Sequence, residues 1–438
     1  MSLSNNTVWE VRPSVGSDTN GGAFVSGASG TDYSQQNAKN SSGNNISTTD
    51  GVGNGTTTWT SATASFTSAI IGNVIYLAGS GITTGWYQVT AYTNGTTIVL
   101  DRNPGTGTGI TMNIGGALAT ISQSISNAGT FHTIYVKATA AYTVASTQTI
   151  NINSVSNNNP LSIIGYTTTR GDNGQFTWTT ATNSVDLIQI TGGANYLFKN
   201  IIFSSTAGTP SHCIYTNTGP VGTITCVNCK MSGFVSAIQS EYGVDGYPIQ
   251  SLNLMDCEIH NCTSHALAVG ANLTIVACFI HDNGADGIIV VTDNTAGVTR
   301  LFIERSVIYN NTGNGITLNA PNLSTIVLIN MAFVSNTGDG LKQSNASPTP
   351  AVVMLNNIFY GNGGYGINAL DAIQLHARQS NAFGSNTSGN YYNLSVDATD
   401  VALTGNPFTS PSTGDFSLNN TSGAGASCKG AGYPTVLP

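Results

Sequence analysis

Five stretches of this chain decide how it folds: MDCEIHNCTSHALAV (255–269), VACFIHDNGADGIIV (276–290), ERSVIYNNTGNGITL (304–318), INMAFVSNTGDGLKQ (329–343) and LNNIFYGNGGYGINA (355–369). They align without gaps. The small residue that opens the next strand is Ala266, Gly287, Gly315, Gly340 and Gly366, at intervals of 21, 28, 25 and 26 residues. Seven positions before it stand Ile259, Ile280, Ile308, Phe333 and Phe359, and one position after it Leu267, Ile288, Ile316, Leu341 and Ile367. Nine before it stand Cys257, Cys278, Ser306, Met331 and Asn357. Four before it stand Asn283, Asn311, Asn336 and Asn362. A shifted earlier copy, VNCKMSGFVSAIQS (227–240), places Ala237 and Cys229 in the same roles.

Side chains of a strand alternate between its two faces, so the columns of Cys257 and Ile259 point inward together. A repeat near 25 residues with fixed columns means one coil per repeat, each stacked roughly 4.8 Å above the last. Neighbouring coils then bury each other's apolar rows, which no single coil could do alone. An all-β parallel β-helix (a solenoid) is predicted over residues 116–400, with roughly ten to eleven coils. The Asn column is expected at a turn, where stacked amides bond from coil to coil and tolerate left-handed backbone. Gly313, Gly338 and Gly364 are expected to add backbone freedom there.

Outside the repeat, residues 117–128 (ALATISQSISNA) place Ala117, Ile121, Ile125 and Ala128 on one helical face. A short helix there would seal the open apolar end of the stack. Residues 1–115 form an expected β-rich attachment domain with strands at 70–77, 86–91 and 97–100. Asn94-Gly95 between the last two is a hairpin signal. Gly105–Gly109 alternates Gly with Thr but lacks the Lys-Ser or Lys-Thr and the helix of a phosphate loop.

Composition narrows the function classes. Charged residues make up 7% of the 438, against about 25% in an average protein, while 40% are hydrophobic, too many for a disordered chain. Gly, Asn and Thr disfavour long helices. A net charge of −8 with only 12 Lys and Arg leaves no basic stripe for a phosphate backbone, so no nucleic-acid partner is expected. No run of about 18 apolar residues predicts membrane insertion. The opening MSLSNNTVWEV lacks the pattern of a signal peptide. Seven cysteines in no disulfide spacing read as free thiols of a protein made in a cytoplasm.

The Asn-x-Gly-x-Gly-Ile turns, the helix at 117–128 before Thr133–Val136, and the ending NPFTSPSTGDFSLNNTSGAGASCKGAG (406–432) resemble right-handed β-helix proteins of the pectate-lyase-like superfamily. The resemblance implies a right-handed coil and a closing coil with C-terminal tail at 401–438. TVWEVRPSVGSDTNGG (7–22) and IIGYTTTRGDNG (163–174) also resemble β-helix proteins of bacteriophages, tailspike-like or virion-surface proteins. That likeness implies a virion protein made in the host cytoplasm, with other virion proteins and host-surface polysaccharide as partners, and a homo-oligomer such as a trimer.

Chemistry must be argued from a site, since one fold hosts many functions. The polygalacturonase-like set and the pectate-lyase-like calcium Asp cluster are absent. If Cys257 and Ile259 face in, Asp256, Glu258 and His260 face out on one strand. His281 shares the column of His260, and Arg305 lies two coils beyond Asp256. Carboxylates beside imidazoles and a guanidinium could do acid–base work on a sugar. The plainer and favoured reading is a surface charge ladder, with Lys230 paired to Glu258. Glu241 and Asp245 form another acidic pair, and Tyr242, Tyr247 and Asp245 could line a sugar-binding groove or a solvated loop. Cys226-x-x-Cys229 resembles half a zinc site without a second half, and inward thiols explain it better. Asp282 and Asp286 flank a turn that could hold calcium, but the Gly-Gly-x-Gly-x-Asp repeat is missing. Neither a metal nor a cofactor is therefore expected. The leading expectation is a structural or adhesive spike, fibre or capsid-surface protein without catalysis; the alternative is a polysaccharide-degrading lyase or glycoside hydrolase on the outer face.

Overall fold

The computed structural model describes residues 3–37, 46–129, 131–152, 160–216, 221–240, 249–291, 300–319, 323–344, 351–369 and 374–433. The chain divides into two compact units. One comprises Met1–Thr143, Ser154–Trp178 and Ala194–Ile202; the other comprises Val144–Asn153, Thr179–Gly193 and Phe203–Pro438.

In the first unit, strand Thr7–Val11 pairs in parallel with Thr133–Lys137, that strand with Leu161–Tyr166, and that one with Tyr196–Lys199. Between the first two strands the chain makes a closed six-stranded antiparallel barrel over Ile46–Ile114, packed around Trp59, Leu77, Tyr87 and Ile110. Ile46 pairs with Ile114, so the barrel is an insertion whose two ends meet. The Asn94-Gly95 hairpin is present, joining Gly85–Asn94 to Thr97–Leu100. A boundary at residue 115 does not follow the strand pairing, because Thr7–Val11 is a neighbour of Thr133–Lys137 and not of the barrel strands. Helix α1 spans Ile121–Asn127, shorter than the predicted 117–128. Leu118 bridges to Val11 as extended chain instead. The helix begins where the Thr120 hydroxyl accepts the Gln123 N–H, and the Asp18 carboxylate takes the N–H groups of Ala119 and Thr120 at 3.0 Å.

Two buried polar arrangements hold this unit. Glu10 is fully buried and pairs with Arg12 at 2.8 Å and Arg170 at 2.6 Å, while the Tyr166 hydroxyl donates to it. Arg170 also reaches Asp32 at 2.8 Å. A carboxylate inside protein persists only with such partners. Glu10 and Arg12 come from the stretch 7–22 and Tyr166 and Arg170 from 163–174, while Asp32 lies outside both. Beside them, buried Trp9 donates its indole N–H to Nδ1 of His132 at 3.2 Å. The His132 ring is therefore neutral, and burial lowers its pKa to about 4.

The second unit is a parallel β-helix whose coils contribute strands to three sheets. A ten-stranded sheet runs from Gln148–Ile150 to Gly389–Tyr392 with one strand per coil. A second sheet stacks Lys230–Ser232, Glu258–His260, Phe279–His281, Val307–Tyr309, Ala332–Val334, Ile358–Tyr360 and Ala382–Gly384. Its inward column is Ile259, Ile280, Ile308, Phe333, Phe359 and Phe383 in unbroken register. Phe333, Phe359 and Phe383 stack face to face at 4.7 and 5.0 Å. The coil-to-coil spacing thus serves both the backbone ladder and ring stacking.

The corners between sheets carry buried polar rows. Asn283, Asn311, Asn336 and Asn362 are buried, and the amide nitrogen of each donates to Oδ1 of the next Asn at 2.8–3.1 Å, ending on Asn386. The same oxygens accept backbone N–H groups of the preceding coil, from Cys262 through Asn362. Left-handed backbone occurs not at these Asn but one residue earlier, at Asp282, Asn310 and Ser335. The role of Gly313, Gly338 and Gly364 is also different from backbone freedom. A Cβ there would lie 2.1–2.4 Å from Asp286, Asn314 or Asp339 of the neighbouring coil, so these positions are small to admit a second polar row. A third row holds Cys257, Cys278, Ser306, Met331 and Asn357. The Cys278 N–H donates to Ser306, and that of Met331 to Asn357. The cysteines are free and buried apart from partly exposed Cys428.

The expected closing coil at 401–438 takes another course. Val401–Ala402 continues the second sheet, but Phe408–Ser410 and Asp415–Leu418 form an antiparallel hairpin. Phe408, Phe416 and Leu418 of that hairpin pack on the outer face of Val307–Tyr309, Ala332–Val334 and Ile358–Tyr360. Helix α2, Gly425–Ala431, follows. Apolar residues on that outer face supply the reason: they stabilise the covered arrangement by leaving water.

Two outcomes are expected. Unfolded, the His132 imidazole titrates near about 6.5; folded, it stays unprotonated down to about pH 4. The stability it supports is complete above the unfolded value and declines by about 3 kcal/mol as pH falls through that window. His132→Asn, which keeps an acceptor for Trp9, should flatten this part of the pH dependence of urea unfolding. Asn336→Ala should cost about 3 kcal/mol by the same measurement, because it strands the buried Asn311 backbone N–H and the Ile308 carbonyl and removes one bond of the Asn311 side chain. A loss below about 1 kcal/mol would mean that the row is dispensable.

Candidate functional site

The second sheet has three-residue strands, so each coil presents two side chains outward. One outward column reads Lys230, Glu258, Phe279, Val307, and the other Ser232, His260, His281, Tyr309. Apart from Phe279, the outward residues before Val307 are polar, and those of the coils after it are apolar or aromatic. The open, polar stretch is the candidate site.

Glu258 is its centre. Its carboxylate pairs with the Lys230 ammonium at 2.7 Å and lies 3.4 Å from His281 Nε2. On the other side of the same ring, His281 Nδ1 lies 2.7 Å from Asp282. The His281 imidazole therefore bridges two carboxylates. It is also sandwiched: its ring stacks on His260 at 5.1 Å and on Tyr309 at 4.5 Å. Phe416, from the C-terminal hairpin, closes the row against Tyr309 at 4.6 Å and reaches Phe279 at 6.5 Å.

The electrostatics follow from these neighbours. Burial would raise the Glu258 pKa, but the bond and charge of Lys230, with help from His281, outweigh it and hold the carboxyl below its usual range. Burial, then the adjacent His281, lower the His260 pKa. Burial and the charges of Asp282 and Glu258 push the Tyr309 hydroxyl up to about 12. Near neutral pH the site holds an ionised Glu258, a neutral His260 and a protonated Tyr309. Among the described residues, His260 has a stacking partner but no side-chain hydrogen bond.

The sequence-predicted residues do not all converge here. Glu258, His260 and His281 do. Asp256 does not share their strand: it sits at the preceding corner, exposed, with φ of 53°. The corner turns its side chain out of the alternation that the strand pattern assumed. Arg305 occupies the same corner two coils on, with φ of 51°, and lies 3.6 Å from Glu304. Glu241, Tyr242, Asp245 and Tyr247 lie outside the described residues. Asp282 and Asp286 take separate partners, Asp282 pairing with His281 and Asp286 accepting the Asn314 N–H at 2.6 Å. Among the described residues no group of three His, Cys, Asp or Glu side chains is arranged to hold a metal ion.

Sequence reasoning missed Tyr309 and Phe416. A signal existed: VIY (307–309), AFV (332–334) and IFY (358–360) are apolar at all three positions. A strand buried on both faces reads that way, so an added cover was inferable, though not which segment supplies it.

Residues 186–353 and 221–408 match the family model described as the right handed beta helix region, together half of the chain. No curated protein matches the sequence. Among solved structures, the chain is similar to the A-module of the Azotobacter vinelandii mannuronan C-5 epimerase AlgE4, at 14% identity and a TM-score of 0.44, covering 62% of this chain and 73% of that one. It is also similar to pectate lyase Pel9A, at 13% identity and a TM-score of 0.38, covering 68% and 79%. A catalytic domain of a GH87 alpha-1,3-glucanase is similar at 12% identity and a TM-score of 0.32, covering 82% and 88%.

Proposed function

This chain belongs to the right-handed β-helix family, and on that footing we propose that it binds polysaccharide on the outer face of its second sheet and performs acid–base chemistry on the bound chain. One observation carries the proposal: a neutral imidazole without an internal hydrogen bond, His260, lies stacked on a His281 ring that bridges Glu258 and Asp282. A base must be unprotonated at working pH and have a free ring nitrogen. His260 meets both conditions. It would take a proton from water or from a sugar carbon, as a hydrolase or a lyase requires.

Glu258 would stabilise the positive charge that then develops on the imidazole stack. Lys230 keeps the carboxylate ionised for that role. The rings of Tyr309, Phe279 and Phe416 offer apolar surface for the C–H faces of a sugar. On this reading the protein is a polysaccharide-degrading tailspike of a phage particle. The barrel-bearing N-terminal part would attach it to other virion proteins, and trimeric assembly would repeat the site.

A second reading is a glycan-facing virion protein without catalysis. The pairing of Glu258 with Lys230 favours it, because an ion pair is also what a plain surface ladder would hold. The two are separated by incubating the protein with bacterial surface polysaccharides and following chain length by size-exclusion chromatography. Degradation is expected, with at least about a hundredfold loss of rate in His260→Ala. The rate should rise with pH through a midpoint below the usual histidine value, because the site lowers the His260 pKa. Binding without shortening, or shortening unchanged in His260→Ala, would favour the second reading.

A further inference from the structure

The C-terminal cover does not lie flush on the second sheet. Between them runs a groove of about 440 Å³, within the range of roughly 300–1,000 Å³ typical of small-ligand sites. Its floor is the outward column Val307, Ala332, Ile358 and Ala382, consecutive partners in register. The groove therefore crosses four coils, roughly 14 Å at about 4.8 Å per coil. Along one side stand the corner residues Arg305, Asn330, Asn356 and Ser380, one per coil. Phe408, Phe416 and Leu418 form the opposite wall.

We infer that this groove holds an unbranched stretch of the same glycan chain that the Glu258–His260 site acts on. The inference rests on the polysaccharide reading and adds to it a substrate class: linear chains long enough to fill both places. Three observations carry it. First, the groove begins where the open face ends. Val307 follows Phe279 in the outward column, and Phe416 lines the groove while packing against Phe279 and Tyr309.

Second, the lining is divided lengthwise. A row of guanidinium, amide and hydroxyl groups faces an aromatic and aliphatic wall. A sugar ring has the same division, with hydroxyls at its edge and C–H groups on its faces. A hydrocarbon chain would strip water from the polar row without replacing its hydrogen bonds. The row also has capacity. The Arg305 side chain is 61% exposed, with Glu304 at 3.6 Å as its ion-pair partner. Asn330 accepts from Asn356 through its oxygen, and among the described residues its amide nitrogen donates to none.

Third, the cover is fastened. The Asn356 side chain holds both backbone groups of Tyr433, donating to its carbonyl at 2.8 Å and accepting its N–H at 2.7 Å. A branch on that side of the chain would have to displace Phe408, Phe416 or Leu418 of the fastened cover.

Cys428 supplies the test. It lines the groove, and every other cysteine is buried. Burial raises its pKa to about 11, so modification is slow enough to time. The full chain would be treated with methyl methanethiosulfonate in the presence of short and long linear oligosaccharides, branched oligosaccharides, or dodecanoate. Each sugar would be prepared from the bacterial surface polysaccharides used to follow chain length. Long linear chains at roughly nine-tenths occupancy should slow Cys428 modification about tenfold, while short or branched ones should not.

Arg305→Ala and Asn330→Gly, the latter free of strain at a left-handed position, should each weaken binding of long chains several-fold and leave short ones unaffected. His260→Ala should abolish chain shortening yet keep Cys428 protected. If glycans bind and are shortened but Cys428 reacts at its free rate, the groove proposal fails while the active-face reading stands. Protection by dodecanoate alone also overturns it. If the panel neither binds nor protects, the polysaccharide reading itself falls.

Discussion

At the corner that follows the second sheet, the backbone N–H groups of Cys262, Asn283, Asn311, Asn336 and Asn362 are buried, and the β ladders end before they can pair them. An acceptor on the neighbouring coil must serve instead. Asn311, Asn336, Asn362 and Asn386 do this by accepting, from one coil back, both a backbone N–H and a side-chain amide, and Asn283 by accepting the Cys262 backbone N–H. Each such bond fits only one offset between coils. A slip of one residue would leave several buried donors unpaired at once and would turn the inward column of Ile259 and Ile280 toward solvent. Register is therefore specified at the corners as well as by the apolar rows.

Fixed register makes the outer face chemically useful. Residues far apart in sequence stand about one strand spacing apart in space, so His260, His281 and Tyr309 become a stack of rings. Glu258 then lies within reach of both Lys230 and His281. The short strands and tight corners that make the coil also hold these side chains in place. Polar side chains in the same columns end with the coil of Phe279 and His281, and the C-terminal hairpin covers the apolar coils from Val307 onward. Open site and covered groove are thus consecutive parts of one face.

Much of this was legible in the chain itself. Gapless alignment of five repeats placed Ile259, Ile280 and Ile308 in one interior row, and it placed Cys229, Cys257 and Cys278 inside as reduced thiols. The Asn ladder was legible as a ladder, though its left-handed residue was not, because Asn is favoured both for amide stacking and for αL backbone and the sequence does not say which. Asp256 was misplaced for a related reason. Strict alternation was carried one residue too far, past the corner where the strand ends. Gly313 and Gly364 read as sources of backbone freedom, but they are small because Asp286 and Asp339 from another coil occupy the space a Cβ would need.

The sequence alone determined the repeat, and with it the coil and its inward rows, because a period of about 25 residues acts through neighbours that are one turn apart along the chain. Only the tertiary structure decided what covers what. That the hairpin at Phe408–Leu418 lies across Val307, Ala332 and Ile358, and that Glu10 takes Arg170 and Tyr166 as partners, depends on contacts between segments dozens to more than a hundred residues apart. No periodicity encodes those pairings: burial requires that an apolar face or a charge be satisfied, but leaves the choice of partner to the packing of the whole chain.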